Sequence, residues 1–178
     1  MKTLIIVTHP HIEDSLINKR WIKELEKYPE QYTIHQLYKV YPDEHIDVKE
    51  EQQLIEQYDH IVFQFPLYWF SMPPLLKKWQ DEVLTYGWAY GSKSGYKVGG
   101  KKVTLAISAG IDEREYAHNE KYKYTLKELL RPFELTFEYI HADFRPFFAY
   151  YGIELNSTTE WIERSVPLYR QFLEDFSK

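Results

Sequence analysis

Three runs in the chain, TLIIVTH (3–9), HIVFQFPL (60–67) and KKVTLAIS (101–108), are apolar almost throughout. Continuous apolar runs of this length suit strands buried on both faces, because a strand with one wet face alternates. The segments between them have a different period. Leu16, Ile17, Trp21, Ile22 and Leu25 form a helical stripe over 15–27. DVKEEQQLIEQYD (47–59) carries its acidic residues at the start of a helical pattern, where the helix dipole favours them, and PPLLKKWQDEVL (73–84) opens with proline. YTIHQLY (32–38) alternates as a strand does, and FRPFFAYYGI (144–153) reads as a final strand. YTLKELLRPFELTFEYI (124–140) is helical with a break expected near Pro132, and TTEWIERSVPLYRQFLEDF (158–176) is a closing helix that must accommodate Pro167.

Strands alternating with helices imply a parallel sheet covered by helices on both faces. With five strands the expected class is α/β, a flavodoxin-like doubly wound five-stranded parallel sheet, rather than an eight-stranded barrel. No repeat, low-complexity tract or linker interrupts the pattern, so a single domain is expected over 1–178. The exception is YGWAYGSKSGYKVGGKK (86–102), a long glycine-rich loop of the kind that is usually functional.

Composition removes several function classes. There is no cysteine, which excludes disulfides, thiolate metal sites and cysteine nucleophiles. A net charge of -5 without a basic block argues against nucleic acid as a partner. The apolar run after Lys2 is too short for a signal peptide or a membrane span, so a cytoplasmic protein is expected. Aromatic residues reach 17%, an excess that points to flat apolar pockets or subunit interfaces.

Ligands of a doubly wound sheet bind beyond the carboxyl ends of its strands, near the point where the strand order reverses. Three loops therefore become candidates. In THPHIEDSLIN (8–18), His9 and His11 with Glu13 or Asp14 could ligate a metal. Ser15 and the free amides of the next helix could equally hold an anion, with Asn18 bracing the loop, or Ser15 could simply cap that helix. In the second loop Leu67, Tyr68, Trp69 and Phe70 are four successive large residues between Pro66 and Pro73–Pro74. No regular element buries all four on one face, so they suit a rigid wall for a planar ligand. The third loop begins with Ser108, Ala109 and Gly110, small enough for a ligand to approach the main chain, and continues to Tyr116 and His118.

Taken together, the three loops resemble the NAD(P)H:quinone oxidoreductase family, closest to its small bacterial members that accompany potassium-efflux systems or act as general stress flavoproteins. The most specific stretch is QFPLYWFSMPPLLKKWQDEVLTYGWAYG (64–91). The resemblance implies two-electron, ping-pong transfer from NADH or NADPH through a flavin to a quinone-like acceptor, with the small size favouring FMN over FAD. It implies that His9, Ser15, Leu16, Ile17 and Asn18 hold the phosphate and ribityl end. Pro66, Leu67, Tyr68, Trp69 and Phe70 would line the ring, and Ser108, Ala109, Gly110 and Ile111 would present main chain to it. Tyr116 matches the family's stabilising tyrosine, with His118 as the nearest imidazole. Trp69 and Phe70 would face the acceptor, and Trp88 and Tyr90 would reach toward the flavin of a second subunit in a homodimer. The sequence departs from the family at Ile111, where glycine is common, and at Tyr122, where larger members carry histidine. A regulatory role, binding a membrane potassium-efflux transporter, is the alternative, and a metal-dependent hydrolase using His9 and His11 the more distant one.

Overall fold

The computed structural model describes residues 2–178. In chain order these form β1 (Thr3–Val7), α1 (Ile17–Leu25), β2 (Tyr32–Gln36), α2 (Leu37–Val40), α3 (Val48–Glu56), β3 (His60–Pro66), α4 (Pro74–Val83), β4 (Lys102–Ala109), α5 (Leu126–Leu129), α6 (Arg131–Tyr139), β5 (Asp143–Phe144), β6 (Phe148–Tyr151) and α7 (Thr159–Phe176). The strands are parallel in the order β2-β1-β3-β4-β5, with β6 also paired to β4. The chain leaves β1 toward β2 and returns to build β3 on the opposite side, so the order reverses between β1 and β3. That reversal is where such sheets open a crevice.

The two faces of the sheet explain its apolar strands. Ile5, Val7, Val62 and Ala106 pack with Trp21 of α1 and with Tyr169 and Leu173 of α7. Leu4, Ile6, Phe63 and Phe65 pack with Ile55, Trp79, Phe133 and Phe137 from α3, α4 and α6. A central strand covered on both sides is therefore apolar on both faces along most of its length.

The element boundaries depart from the sequence reading in three places. The last strand divides into β5 and β6, because Pro146 has no N–H to give the ladder. At the break the Thr104 hydroxyl donates to the Pro146 carbonyl at 2.8 Å, and pairing resumes at Phe148. The helix expected from residue 15 starts at Ile17, after a 3-10 turn at Ile12–Asp14. The alternation over 32–38 ends at Gln36, where the chain turns into α2. The expected break near Pro132 falls between α5 and α6, with the proline in the first turn of α6. Pro167 sits inside α7 with its ring toward solvent, while Val166 and Tyr169 hold the opposite face against the sheet.

α3 carries a buried carboxylate. Glu51 accepts from His35 Nε2, from the Tyr41 hydroxyl and from Trp79 Nε1, each at 2.7 Å. Burial pushes the Glu51 carboxyl up, but the bonds from His35, Trp79 and Tyr41 outweigh it and hold the group below its usual range.

Candidate functional site

The crevice at the strand order reversal is built first by the loop after β1. His9 Nδ1 accepts the amide of His11 at 3.2 Å. That bond places the ring proton on Nε2. Burial, with the nearby His11 adding to it and Asp14 opposing, pulls the His9 pKa down to about 4. His9 is therefore a neutral donor. Ser15 Oγ accepts the amide of Asn18 at 3.1 Å, so the serine caps α1 as one reading of the sequence held. Among the described residues no acceptor from the protein faces the amides of Leu16 and Ile17, which leaves them for an anion.

Beneath the loop lies a buried polar chain. Asn18 Nδ2 donates to Ser108 Oγ at 2.8 Å, and Gln64 Nε2 donates to Asn18 Oδ1 at 3.2 Å. The Tyr169 hydroxyl donates to Gln64 Oε1 at 3.0 Å. These four side chains come from α1, β4, β3 and α7, so they tie two central strands to the two helices on the same face. Asn18 thus braces the loop from below.

The second loop is a tight turn. Tyr68 and Ser71 exchange backbone bonds of 3.1 and 2.9 Å, and both residues between them have positive φ: 46° at Trp69 and 61° at Phe70. That is the type I′ geometry ordinarily given to Asn-Gly. Bulky residues in this region are strained by about 1–3 kcal/mol each, which the surrounding structure must offset. The turn leaves Trp69 93% exposed and Phe70 39% exposed. An indole held out of the core on a strained backbone is costly for stability alone.

The third loop faces this turn. A Cβ on Gly110 would meet Glu154 Oε1 at 2.4 Å, so a side chain there would push the Glu154 carboxylate aside. Neither Gly110 nor Ile111 has positive φ, so the Cβ of Ile111 adds no backbone strain. The Tyr116 ring lies 5.1 Å from that of Tyr122, and Tyr122 packs edge-on against Phe70 at 5.0 Å. Burial, reinforced by Tyr122 and Glu154, pushes the Tyr116 phenol up to about 12. The phenol remains protonated at neutral pH and can donate a hydrogen bond.

These pieces form two adjoining cavities. One of about 320 Å³ is lined by His9, Ser15, Leu16, Ile17 and Asn18, with Pro66, Leu67, Tyr68, Ser108 and Gly110 opposite. The other, about 140 Å³, is lined by Leu67, Trp69, Phe70, Gly110, Ile111 and Tyr116. Leu67, Gly110 and Glu154 belong to both, so the cavities meet along one groove. Ala109 is buried beneath its floor. The groove suits a molecule with an anionic end and a flat end: free amides and a neutral imidazole at one end, exposed aromatic rings at the other.

Some expected residues lie elsewhere. His118 is on the surface, its Nε2 3.7 Å from Glu128 Oε2, and Tyr122 occupies the place beside Tyr116. Trp88 donates to Glu56 at 2.8 Å, and Tyr90 packs on Tyr139 in a separate groove between α4 and α6. Glu154 and Ile153 line the site although the sequence reading did not mark them. Their place follows from β6 pairing with β4, which carries the chain after Gly152 over the third loop, and that pairing has no local sequence signal. Among the described residues no group of three or more His, Asp or Glu side chains is arranged to hold a metal ion.

Residues 1–172 match the model of a family described by its flavodoxin-like fold, and the chain belongs to that family. Its fold is similar to that of general stress protein 14 from Treponema denticola, solved in complex with FMN. That chain is 45% identical, with 99% of both chains covered and a TM-score of 0.93. An NADPH-quinone reductase from P. pentosaceus is 31% identical over 97% of this chain and 98% of its own, with a TM-score of 0.86. The glutathione-regulated potassium-efflux system ancillary protein KefG of Enterobacter sp. is 42% identical over 135 residues, 76% of this chain and 73% of its own.

Proposed function

We propose that the protein is an FMN-dependent NAD(P)H oxidoreductase that passes two electrons to a planar acceptor of the quinone class. The observation that carries this reading is the joined groove, with an anion cup of free amides and a neutral imidazole at one end and the strained, exposed Trp69–Phe70 turn opposite Tyr116 at the other. The FMN-bound relative and the reductase relative support the same assignment. FMN would supply the two-electron carrier between nicotinamide and acceptor.

The protein's part is positional and electrostatic. The amides of Leu16 and Ile17, the Ser15 hydroxyl and His9 would hold the phosphate, and Asn18 keeps their loop on the end of β4 through Ser108. Trp69 and Phe70 would wall the ring, and Gly110 lets the main chain approach it. The Tyr116 phenol donates a hydrogen bond where negative charge develops, and its high pKa keeps that proton in place. Trp88, Tyr90 and the exposed Leu135 and Tyr139 suit the face of a second copy, so the working unit is a homodimer. Sedimentation at micromolar concentration tests that, with a monomer contradicting it.

A second reading has one specific support, the relative named as a potassium-efflux ancillary protein. Among the described residues no helix is long and apolar enough to cross a membrane. The protein would then act in the cytoplasm and meet a membrane transporter from that side. An anaerobic titration separates the two. Bands that bleach with NADPH and return on adding a benzoquinone support the reductase. Bands that NADPH leaves unchanged favour the binding role.

A further inference from the structure

The anion cup lacks a fixed positive charge. Among the residues lining it there is no lysine or arginine, and its carboxylates are Asp14 and Glu154. The nearby Lys19 is held by the Glu13 carboxylate at 2.7 Å and by the Glu13 carbonyl at 2.9 Å. A phosphate dianion entering such a cup meets like charge from two sides unless a cation forms there. Two lining side chains can become cations, His9 and His11. His9 is committed otherwise. Its Nδ1 accepts the His11 amide, and a proton on that nitrogen would break the bond. His11 is exposed at the rim and makes no such commitment with its ring among the described residues.

Resting on the FMN reading, we propose that His11 is a phosphate-binding residue, and that it supplies the cup's positive charge by taking up a proton as a phosphate monoester dianion binds. The groups facing it agree in sign. Asp14 on its own loop and Glu154 from the loop after β6 are the acidic groups that line the cup with it. Ser15, Tyr68 from the turn after β3 and neutral His9 bring no opposing charge. His9 and His11 thus divide the work: one is a permanent neutral donor, the other a cation made on demand. Phosphorylated flavin is then preferred to riboflavin, and the preference grows as pH falls.

The test is calorimetric titration of the full chain, freed of flavin, with FMN and with riboflavin at pH 7.5. Two buffers of different ionisation enthalpy reveal proton uptake. A phosphate monoester has its second pKa near about 6, so at this pH FMN is already dianionic and the proton must come to the protein. The expected result is uptake with FMN and none with riboflavin. The affinity for FMN should weaken with rising pH by at most about tenfold per unit, the limit for one linked proton. His11→Asn should abolish the uptake and weaken FMN binding about tenfold while riboflavin binding is unchanged, which also shows the variant is folded. His9→Asn should weaken FMN binding yet keep the uptake. Absence of uptake in the wild type, or undiminished uptake in His11→Asn, overturns the proposal. A wild type that binds neither flavin overturns the FMN reading and this proposal with it.

Discussion

Two buried polar clusters sit on opposite faces of the same sheet and have different chemistry. One is the chain Tyr169–Gln64–Asn18–Ser108, neutral throughout, placed directly under the candidate site. The other is Glu51 with its three donors, an ionised carboxylate that does not line the groove, joining α3 to β2, to Tyr41 just after α2, and to α4. The charged cluster demands complete pairing, since an unpaired buried charge is far costlier than an unpaired amide. The neutral one tolerates a ligand's changing charge above it without adding charge of its own. A flavoprotein whose cofactor alternates between charge states is served by that separation.

Mutation breaks the comparison most forcefully at Glu51. Glu51→Ala leaves three donors unsatisfied and should destabilise the fold by about 3–5 kcal/mol in urea unfolding, with FMN affinity unchanged at temperatures where the variant is folded. Asn18→Ala should cost less stability, about 1–3 kcal/mol, and should also weaken FMN binding about tenfold or more, measured by flavin fluorescence quenching. If the two variants affect binding alike, the clusters are not functionally distinct.

The clusters should also separate by pH. Glu51 is held below its unfolded value of 4.5, so its contribution is complete above that pH and is lost as pH falls through the folded pKa. Unfolding measured between pH 7 and pH 3 should show this acid loss in the wild type and a weaker one in Glu51→Gln. Asn18→Ala should retain the wild-type acid profile, because its cluster holds no group that titrates there.

Smaller effects belong to the rim. Tyr116→Phe should lower turnover with a quinone about tenfold, roughly one hydrogen bond, with little change in stability. At the turn, Trp69→Asn replaces an indole with a residue that tolerates positive φ. Stability should rise by up to about 1 kcal/mol while FMN binding weakens. A stability loss there would mean that Trp69 serves the fold.

The sheet was legible because β1, β3 and β4 are apolar at most positions, a local signal that needs no partner to interpret. The loop positions His9, Ser15 and Asn18, and the wall Leu67–Phe70, were legible for a similar reason, as unusual residues at strand ends. What was not legible depends on distant parts of the chain. Pro146 splits the last strand only because the ladder on β4 resumes beyond it. Glu154 enters the site because β6 pairs there, and Tyr122 stands beside Tyr116 because their loop folds back on itself, with the Tyr122 amide donating to the Glu115 carbonyl. Sequence distance made His118 the natural neighbour of Tyr116, and loop conformation placed it on the surface.

The claim on which the rest depends is that the groove holds FMN. Its direct measurement is the chromophore content of the purified protein: absorption between 300 and 550 nm, then heat release and identification. The account predicts flavin bands and one FMN per chain, present as isolated or after reconstitution. A protein that remains colourless after incubation with excess FMN and FAD would contradict it, and the strained, exposed Trp69–Phe70 turn would then require another planar ligand.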